Sequence, residues 1–472
     1  MLSRKFDNSR ITQLSQRMNT HMQRYGYTLV DLPIIEPADL FLIKAGDQIV
    51  NRLFTFEHLG RQLALRPEFT AAAAFHYWLE NGDNQPVTRW QFSGYVFDDN
   101  PNDFTQNRQR YSVGAELIGM GEPIADAEIV GMAVQMLIQE QLSDWQLRLG
   151  HSGLLRRALL QFRLDNRTER FLLTHLNALK NPDLGKAFVL DQLERISSDA
   201  LLSNHSQTEF SREEIDLLAA PNMQRIYDIV LEAVQRGTTM GGRTHDEIAR
   251  RLLQKRRRTI EHQLVSSAID FLIEWGKIAA PPREAFQAIS HLIMDDDPTS
   301  QAMLTDWRVI IDNLEIFDIP VNQITVQPDL ARSWDYYTGM VFELNTKGGV
   351  QLGGGGRYDE LSKLLGNKNN VPAVGFAYYM DKLITHISNS PLVQQRDIVI
   401  CVDSSTTPIG LHWAIQLRNQ RFMVQILTEA GLPEITSLIM YPDEDGTLYL
   451  NETAYRLEEI SLLTKELNRI LA

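Results

Sequence analysis

With 472 residues, 43% of them hydrophobic and 22% charged, the chain has the composition of a globular protein and length enough for two or three domains, each with a substantial core. Its formal charge of −14 and pI near 5.3 remove the simple electrostatic argument for nucleic-acid binding, although a local basic face would suffice for it. No run of eighteen apolar residues occurs, the opening MLSRKFDNSRITQLSQ holds no apolar stretch of the signal-peptide kind, and the single cysteine, Cys401, excludes an internal disulfide framework or a thiolate metal cluster. Together these point to a cytoplasmic protein with no membrane span.

Along the chain, Ile11, Leu14, Met18 and Met22 follow helical spacing and predict an amphipathic first helix. Residues 27–32 read as a strand leading to Pro33 and Pro37. Residues 91–97 and 110–118 read as two strands around a polar loop, and residues 145–150 as another short strand. From about 154 to 317 leucines recur at three- and four-residue spacing and strand signals vanish, which reads as a helical block inserted into a β-containing domain. Within it, Lys255, Arg256, Arg257 and Arg258 follow the helical stretch 246–254. That run reads as a solvated helix end, or alternatively as a phosphate-binding patch. Strands resume at 321–326, 340–344 and 349–352, and a helix over 381–387 closes the domain. Residues 389–395 read as a linker. Beyond it, strand (398–402), helix (410–419), strands (422–427 and 437–441) and a last helix (455–470) make a small α/β domain.

Four segments carry residues suited to chemistry. They are Arg66-Pro67-Glu68-Phe69-Thr70, the stretch 94–119 with Glu116, the stretch 332–343, and a glycine run, 353–356, leading into Arg357-Tyr358-Asp359. They place carboxylates (Glu68, Glu116, Asp335, Asp359), arginines (Arg66, Arg332, Arg357) and tyrosines (Tyr336, Tyr337, Tyr358) on strands and tight glycine loops. Carboxylates capture an ammonium, tyrosines line walls, and glycines let a ligand approach the backbone. That set suits a small zwitterion such as an amino acid. Each piece alone also reads as ordinary packing, and the signal lies in their order. The histidines, His245 and His262 among them, form no ligand-spaced metal cluster, and no cofactor is expected.

In that order the segments resemble the histidyl-tRNA synthetases of the class II group, over roughly residues 8–388, with a tail like a shortened anticodon-binding domain. The resemblance implies an α+β fold: a class II synthetase-like antiparallel sheet with flanking helices, a helical insertion and a small C-terminal α/β domain. The expected boundaries are 1–153 and 318–388 for the two parts of the core, 154–317 for the insertion and 392–472 for the tail. It also implies a histidine pocket, with Glu68 and Thr70 at the α-amino end, Glu116 against the imidazole, Arg332 towards the carboxylate, and Tyr337 and Tyr358 completing the wall. A glutamine usual in the family is Ser112 here, which shortens one contact.

The positions that would hold ATP differ from the family pattern. The motif 2 arginine that clamps the α-phosphate is Asp98, the glutamate after it is Asn100, and the next loop arginine aligns with Gln106, leaving only Arg108. In motif 3 the arginine is Lys382 and a preceding glycine is Tyr379. Two unit charges about 4 Å apart interact by roughly 4 kcal/mol at an effective dielectric near 20, so Asp98 is expected to turn an attraction for phosphate into a repulsion. Adenylation should then be disabled.

A histidine pocket without ATP chemistry resembles the regulatory subunits of ATP phosphoribosyltransferase. The segment 240–252, a Gly-Gly-Arg followed by a helix with Thr244 as N-cap and Glu247 at the capping-box position, is similar to one found in some of them. The same segment also reads simply as a loop and a well-capped helix. The resemblance implies a non-catalytic, histidine-sensing partner of the short catalytic subunit at the first step of L-histidine biosynthesis. It further implies a homodimer core within a hetero-oligomer. A tRNA partner is not expected, because residues 396–472 carry six Lys or Arg against eleven Asp or Glu. A divergent histidine–tRNA ligase and a synthetase-like protein with another partner stay open at this point.

Overall fold

The computed structural model describes residues 8–42, 50–99, 108–181, 184–203, 262–330, 332, 334, 336–387, 397–429 and 438–471. Contacts divide the chain into two compact units, Met1–Arg157 together with Ile278–Ala472, and Ala158–Lys277. Helix α1 (Asn8–Gln23) buries Ile11, Leu14, Met18 and Met22, the stripe that its spacing predicts. The strand read over 27–32 is shorter than expected. Only β1 (Thr28–Leu29) pairs, in parallel with Trp90 and Gln91, and Val30 adds one backbone bond before Pro33, which has no N–H to give. A small antiparallel sheet follows, built from β2 (Ile35–Pro37), β3 (Thr55–His58) and β4 (Arg61–Leu65) in the order β2-β4-β3.

Helix α2 (Thr70–Asn81) starts inside the Arg66–Thr70 motif and buries four consecutive alanines, Ala71 to Ala74, against the core. Strands β5 (Thr88–Phe97) and β6 (Gln109–Ile118) pair with Gly94 opposite Ser112 and Trp90 opposite Glu116. Helix α3 (Pro123–Gln139) is buried along nearly its whole length, which explains why it has apolar residues all round. Strand β7 (Gln146–His151) comes next. After the second unit come α4 (Pro282–Leu292), α5 (Pro298–Ile316), β8 (Ile324–Val326), β9 (Met340–Asn345), β10 (Gln351–Arg357) and β11 (Ala373–Tyr379). Together they complete an eight-stranded sheet, β1-β5-β6-β11-β10-β9-β7-β8, antiparallel except at the β1–β5 and β7–β8 pairs.

Two expectations change here. Helices α4 and α5, read from their leucine spacing as part of the insertion, belong to the first unit. Helix α5 packs on α3, where the Phe317 ring abuts Gly131 and Gln135 donates to the Phe317 carbonyl at 3.1 Å. Helical periodicity is the same whether a helix covers a sheet or stands apart, so spacing alone could not separate them. The glycine run 353–356 is not a loop. It is the middle of β10, where a Cβ on Gly355 would lie 1.8 Å from the Gly375 carbonyl oxygen.

The second unit is helical among its described residues, with helices Asn166–Thr174, Leu176–Lys180 and Gly185–Ser203 and a further helix over 262–276. Leu172, Leu179, Val189, Ile269, Leu272 and Trp275 fill its core. The tail forms a five-stranded sheet, β13-β12-β14-β15-β16, from β12 (Asp397–Cys401), α6 (Thr407–Asn419), β13 (Met423–Leu427), β14 (Leu438–Pro442), β15 (Leu448–Leu450) and β16 (Thr453–Tyr455), followed by α7 (Ile460–Leu471). The last helix starts later than residue 455 because Thr453–Tyr455 pairs back on β15 across a turn at Asn451, whose φ is +53°. The segment 240–252 with Thr244 and Glu247, His245, the run Lys255 to Arg258, residues 389–395, Asn100, Gln106 and Asp335 lie outside the described residues. Among the described residues no helix is long and apolar enough to cross a membrane.

Candidate functional site

Alternation along the strands brings one set of side chains to one face of the large sheet. On β6 the positions 110, 112, 114 and 116 share that face, on β11 the positions 375, 377 and 379, and on β10 Gly354 and Gly356. Gly354, Gly375 and Ala377 therefore make a floor almost without side chains. Above it lies a cavity of about 370 Å³, walled by Glu68, Thr70, Phe92, Trp334, Tyr336, Tyr337 and Tyr358.

At the closed end sits Glu116, 1% exposed. Its carboxyl accepts one hydrogen bond from the Thr70 hydroxyl at 2.6 Å and another from the Tyr358 hydroxyl at 2.6 Å. Gly375 makes room for it, since a Cβ there would fall 1.5 Å from Glu116 Oε2. Burial, with Glu68 nearby, pushes the Glu116 carboxyl up to about 8. Glu68 accepts the backbone N–H groups of Thr70 and of Ala71, the latter at 2.9 Å, so it caps the first turn of α2 while still facing the cavity.

Arg332 stands further along the wall. It donates to the Phe342 carbonyl at 3.1 Å and reaches the Tyr379 hydroxyl at 3.5 Å. Its Nε has no partner, and among the described residues no carboxylate lies within ion-pair distance of it. A Cβ on Gly354 would come within 2.0 Å of its Nη1. The cavity thus has an acidic end lined by tyrosines and, towards its mouth, a guanidinium free to meet an anion.

The mouth corrects one expectation. Asp98 does not present a bare negative charge. It accepts Arg52 Nε at 2.7 Å, also pairs with Arg52 Nη2, and accepts Arg110 Nη2 at 2.8 Å. Two cations around one anion leave the cluster at net +1, so the simple phosphate repulsion expected of Asp98 is cancelled. What is lost is the free fork of Arg52, which is spent on Asp98, while Arg110 gives Asp98 its Nη2 alone. The Arg110 guanidinium and the Lys382 ammonium each stand 5.3 Å from the Tyr379 ring centroid. Arg108 faces away, bound to Asp99 at 2.6 Å.

Of the residues picked from sequence, Glu68, Thr70, Ser112, Glu116, Arg332, Tyr336, Tyr337 and Tyr358 line the cavity together with Asp98, Tyr379 and Lys382. The Ser112 hydroxyl donates to the Tyr378 carbonyl at 3.1 Å. Arg66, Arg357 and Asp359 do not reach it. Arg66 ties the Tyr95, Leu32 and Pro33 carbonyls together. Arg357 makes a buried ion pair with Asp126, Nη2 to Oδ2 at 2.5 Å, and also binds the Met120 carbonyl and Asp359. Arg52, Arg110, Trp334, Glu343 and Gln351 were missed. Arg110 was findable, two residues before Ser112 on the same face of β6; Arg52, far away in sequence, was not. Among the described residues no group of three or more His, Cys, Asp or Glu is arranged to hold a metal ion.

Comparison with known proteins decides the family. The profile described as histidyl-tRNA synthetase matches residues 6–235 and 213–383. The chain belongs to the histidyl-tRNA synthetase family. Within that family, the chain is similar to proteins named ATP phosphoribosyltransferase regulatory subunit; that of Allorhizobium ampelinum is 31% identical over 380 residues, covering 76% of this chain and 93% of the relative. The histidine–tRNA ligase of Methanococcus vannielii is 27% identical over 397 residues, 82% of this chain and 75% of the relative. A solved structure titled as an ATP phosphoribosyltransferase regulatory subunit/histidyl-tRNA synthetase from Bacillus halodurans shares the fold, with a TM-score of 0.56, 19% identity and 90% of each chain covered. The large sheet with its flanking helices is therefore that of the class II synthetases.

Proposed function

We propose that this protein is a non-catalytic regulatory subunit of ATP phosphoribosyltransferase that binds free L-histidine as feedback effector and partners the short catalytic subunit. One observation carries the reading. The cavity brings the carboxyls of Glu68 and Glu116 together with the guanidinium of Arg332, while at its mouth the Arg52 fork and one Arg110 nitrogen are taken up by Asp98. Glu68, Thr70 and Glu116 take the ammonium and imidazole, Arg332 takes the carboxylate, and Tyr337 and Tyr358 wall the ring, with Ser112 beside them. On the nucleotide side, Tyr379 and Lys382 replace the small residue and the planar cation that stacking on adenine needs. The relatives named as regulatory subunits support the same role.

The subunit works as a homodimer within the hetero-oligomer. Leu29, Ile34, Ile35, Phe56 and Leu59 are exposed on and around the small sheet, and Leu59 is 85% exposed; a two-fold contact there would cover them. Histidine occupancy then changes the catalytic partner by a coupling free energy. The test is co-purification with a short-form ATP phosphoribosyltransferase and inhibition of the complex by histidine. The ligase relatives favour a second reading, histidine–tRNA ligation, and histidine-dependent ATP–pyrophosphate exchange would establish that one instead.

A further inference from the structure

Glu116 is a buried carboxyl with no cation beside it. Among the described residues, the groups that face it are the Thr70 hydroxyl from α2, Glu68 just before that helix, Tyr358 at the end of β10, and Tyr336 and Tyr337 from the segment before β9. All are neutral or negative. Of the cationic groups that line the cavity, Arg332 is engaged with Phe342 and Tyr379, Arg52 and Arg110 pair with Asp98, and Lys382 lies against Tyr379; none is within ion-pair distance of Glu116. A carboxylate held this way, without a counter-charge, is strongly disfavoured against its acid form. Glu68 is buried as well, and burial raises its carboxyl too, but two backbone N–H groups at a helix start offset part of that rise.

We infer that in the empty pocket Glu116 carries a proton, and that this proton passes to the side-chain base of the ligand that fills it. The O–H bond of Glu116 breaks, a ring N–H bond forms, and a carboxylate–imidazolium pair results with no net change of charge. This deepens the histidine reading and rests on it. Glu116 becomes the specificity-determining residue, and the ligand class narrows to amino acids whose side chain is a base with a pKa near neutrality. A phenyl ring of similar size has nothing to accept the proton. The upward push of burial on the Glu116 carboxyl, to about 8, is in accord.

The experiment is infrared difference spectroscopy of the full-length protein at pH 7, free and saturated with L-histidine, beside calorimetry on the same samples. The free wild type should show a protonated-carboxyl C=O band that histidine removes, and Glu116→Gln, nearly isosteric, should lack both the band and its loss. Absence of the band from the free protein, or its presence unchanged in Glu116→Gln, overturns the inference. Saturable histidine binding that leaves the band in place overturns the transfer while the histidine reading stands. No binding of histidine at all overturns both.

Discussion

Arg332 and Arg357 come from neighbouring motifs, yet replacing each by methionine should give opposite signatures. Arg357 pairs with Asp126, whose side chain is 3% exposed, through three contacts of 2.5–3.1 Å, and it also satisfies the Met120 carbonyl. Arg357→Met strands that carboxylate in the core, and breaking a buried pair from one side costs about 3–5 kcal/mol. Arg332 has no carboxylate partner among the described residues and an unpartnered Nε. Its removal loses the hydrogen bonds to the Phe342 carbonyl and the Tyr379 hydroxyl but strands no paired carboxylate, so Arg332→Met should change stability by no more than about 1 kcal/mol. Urea titration followed by far-UV circular dichroism reads the first effect as a large drop in midpoint and the second as almost none. Histidine affinity should behave the other way, lost in Arg332→Met at temperatures where it stays folded. An Arg332→Met midpoint as low as that of Arg357→Met would refute the assignment of Arg332 to the ligand.

Two further outcomes are expected. In the folded protein Glu116 keeps its proton to about pH 8, whereas the unfolded chain releases it near 4.5, so folding takes up a proton in between. The stability of the ligand-free protein should therefore fall as pH rises through that window and level off above it. Glu116→Gln should flatten this decline and gain on the wild type towards pH 8, by thermal unfolding at a series of pH values; parallel curves would count against a protonated Glu116. In sedimentation the isolated protein should run at twice its 54.0 kDa, and Leu59→Asp with Phe56→Asp should shift it towards monomer. A clean monomer of the wild type at micromolar concentration would remove the exposed small sheet as a dimer surface.

How much was legible depended on whether strand alternation or chain topology decided the outcome. Glu116 and Ser112 were reached through the resemblance to motif 2, and the two-residue period of a strand, which puts them on one face, would have added Arg110. Arg66 and Arg357 misled because a long arginine stem beside a motif can turn to either side of the backbone. Arg357 turns to Asp126, a residue of a helix more than two hundred positions earlier. Arg52 could not be read as a partner of Asp98, since 46 positions separate them and no periodicity links them. That pairing also reversed a sign: Asp98 taken alone predicts a negative mouth, and Asp98 with two arginines makes a positive one. The run 353–356 looked like a loop because glycine is common in turns. Here each glycine clears space for a neighbouring strand or for Arg332, a demand set by the tertiary pairing.

The central claim is that the cavity binds histidine and does not use ATP. It is tested most directly by titrating L-histidine calorimetrically into the full-length protein, with and without ATP present. The titration should show one saturable site per chain, unchanged by ATP and weakened about ten- to a hundredfold in Glu116→Ala, in line with a lost charged hydrogen bond of about 1.5–3 kcal/mol. No heat at millimolar histidine, or binding that appears only when ATP is added, would contradict it.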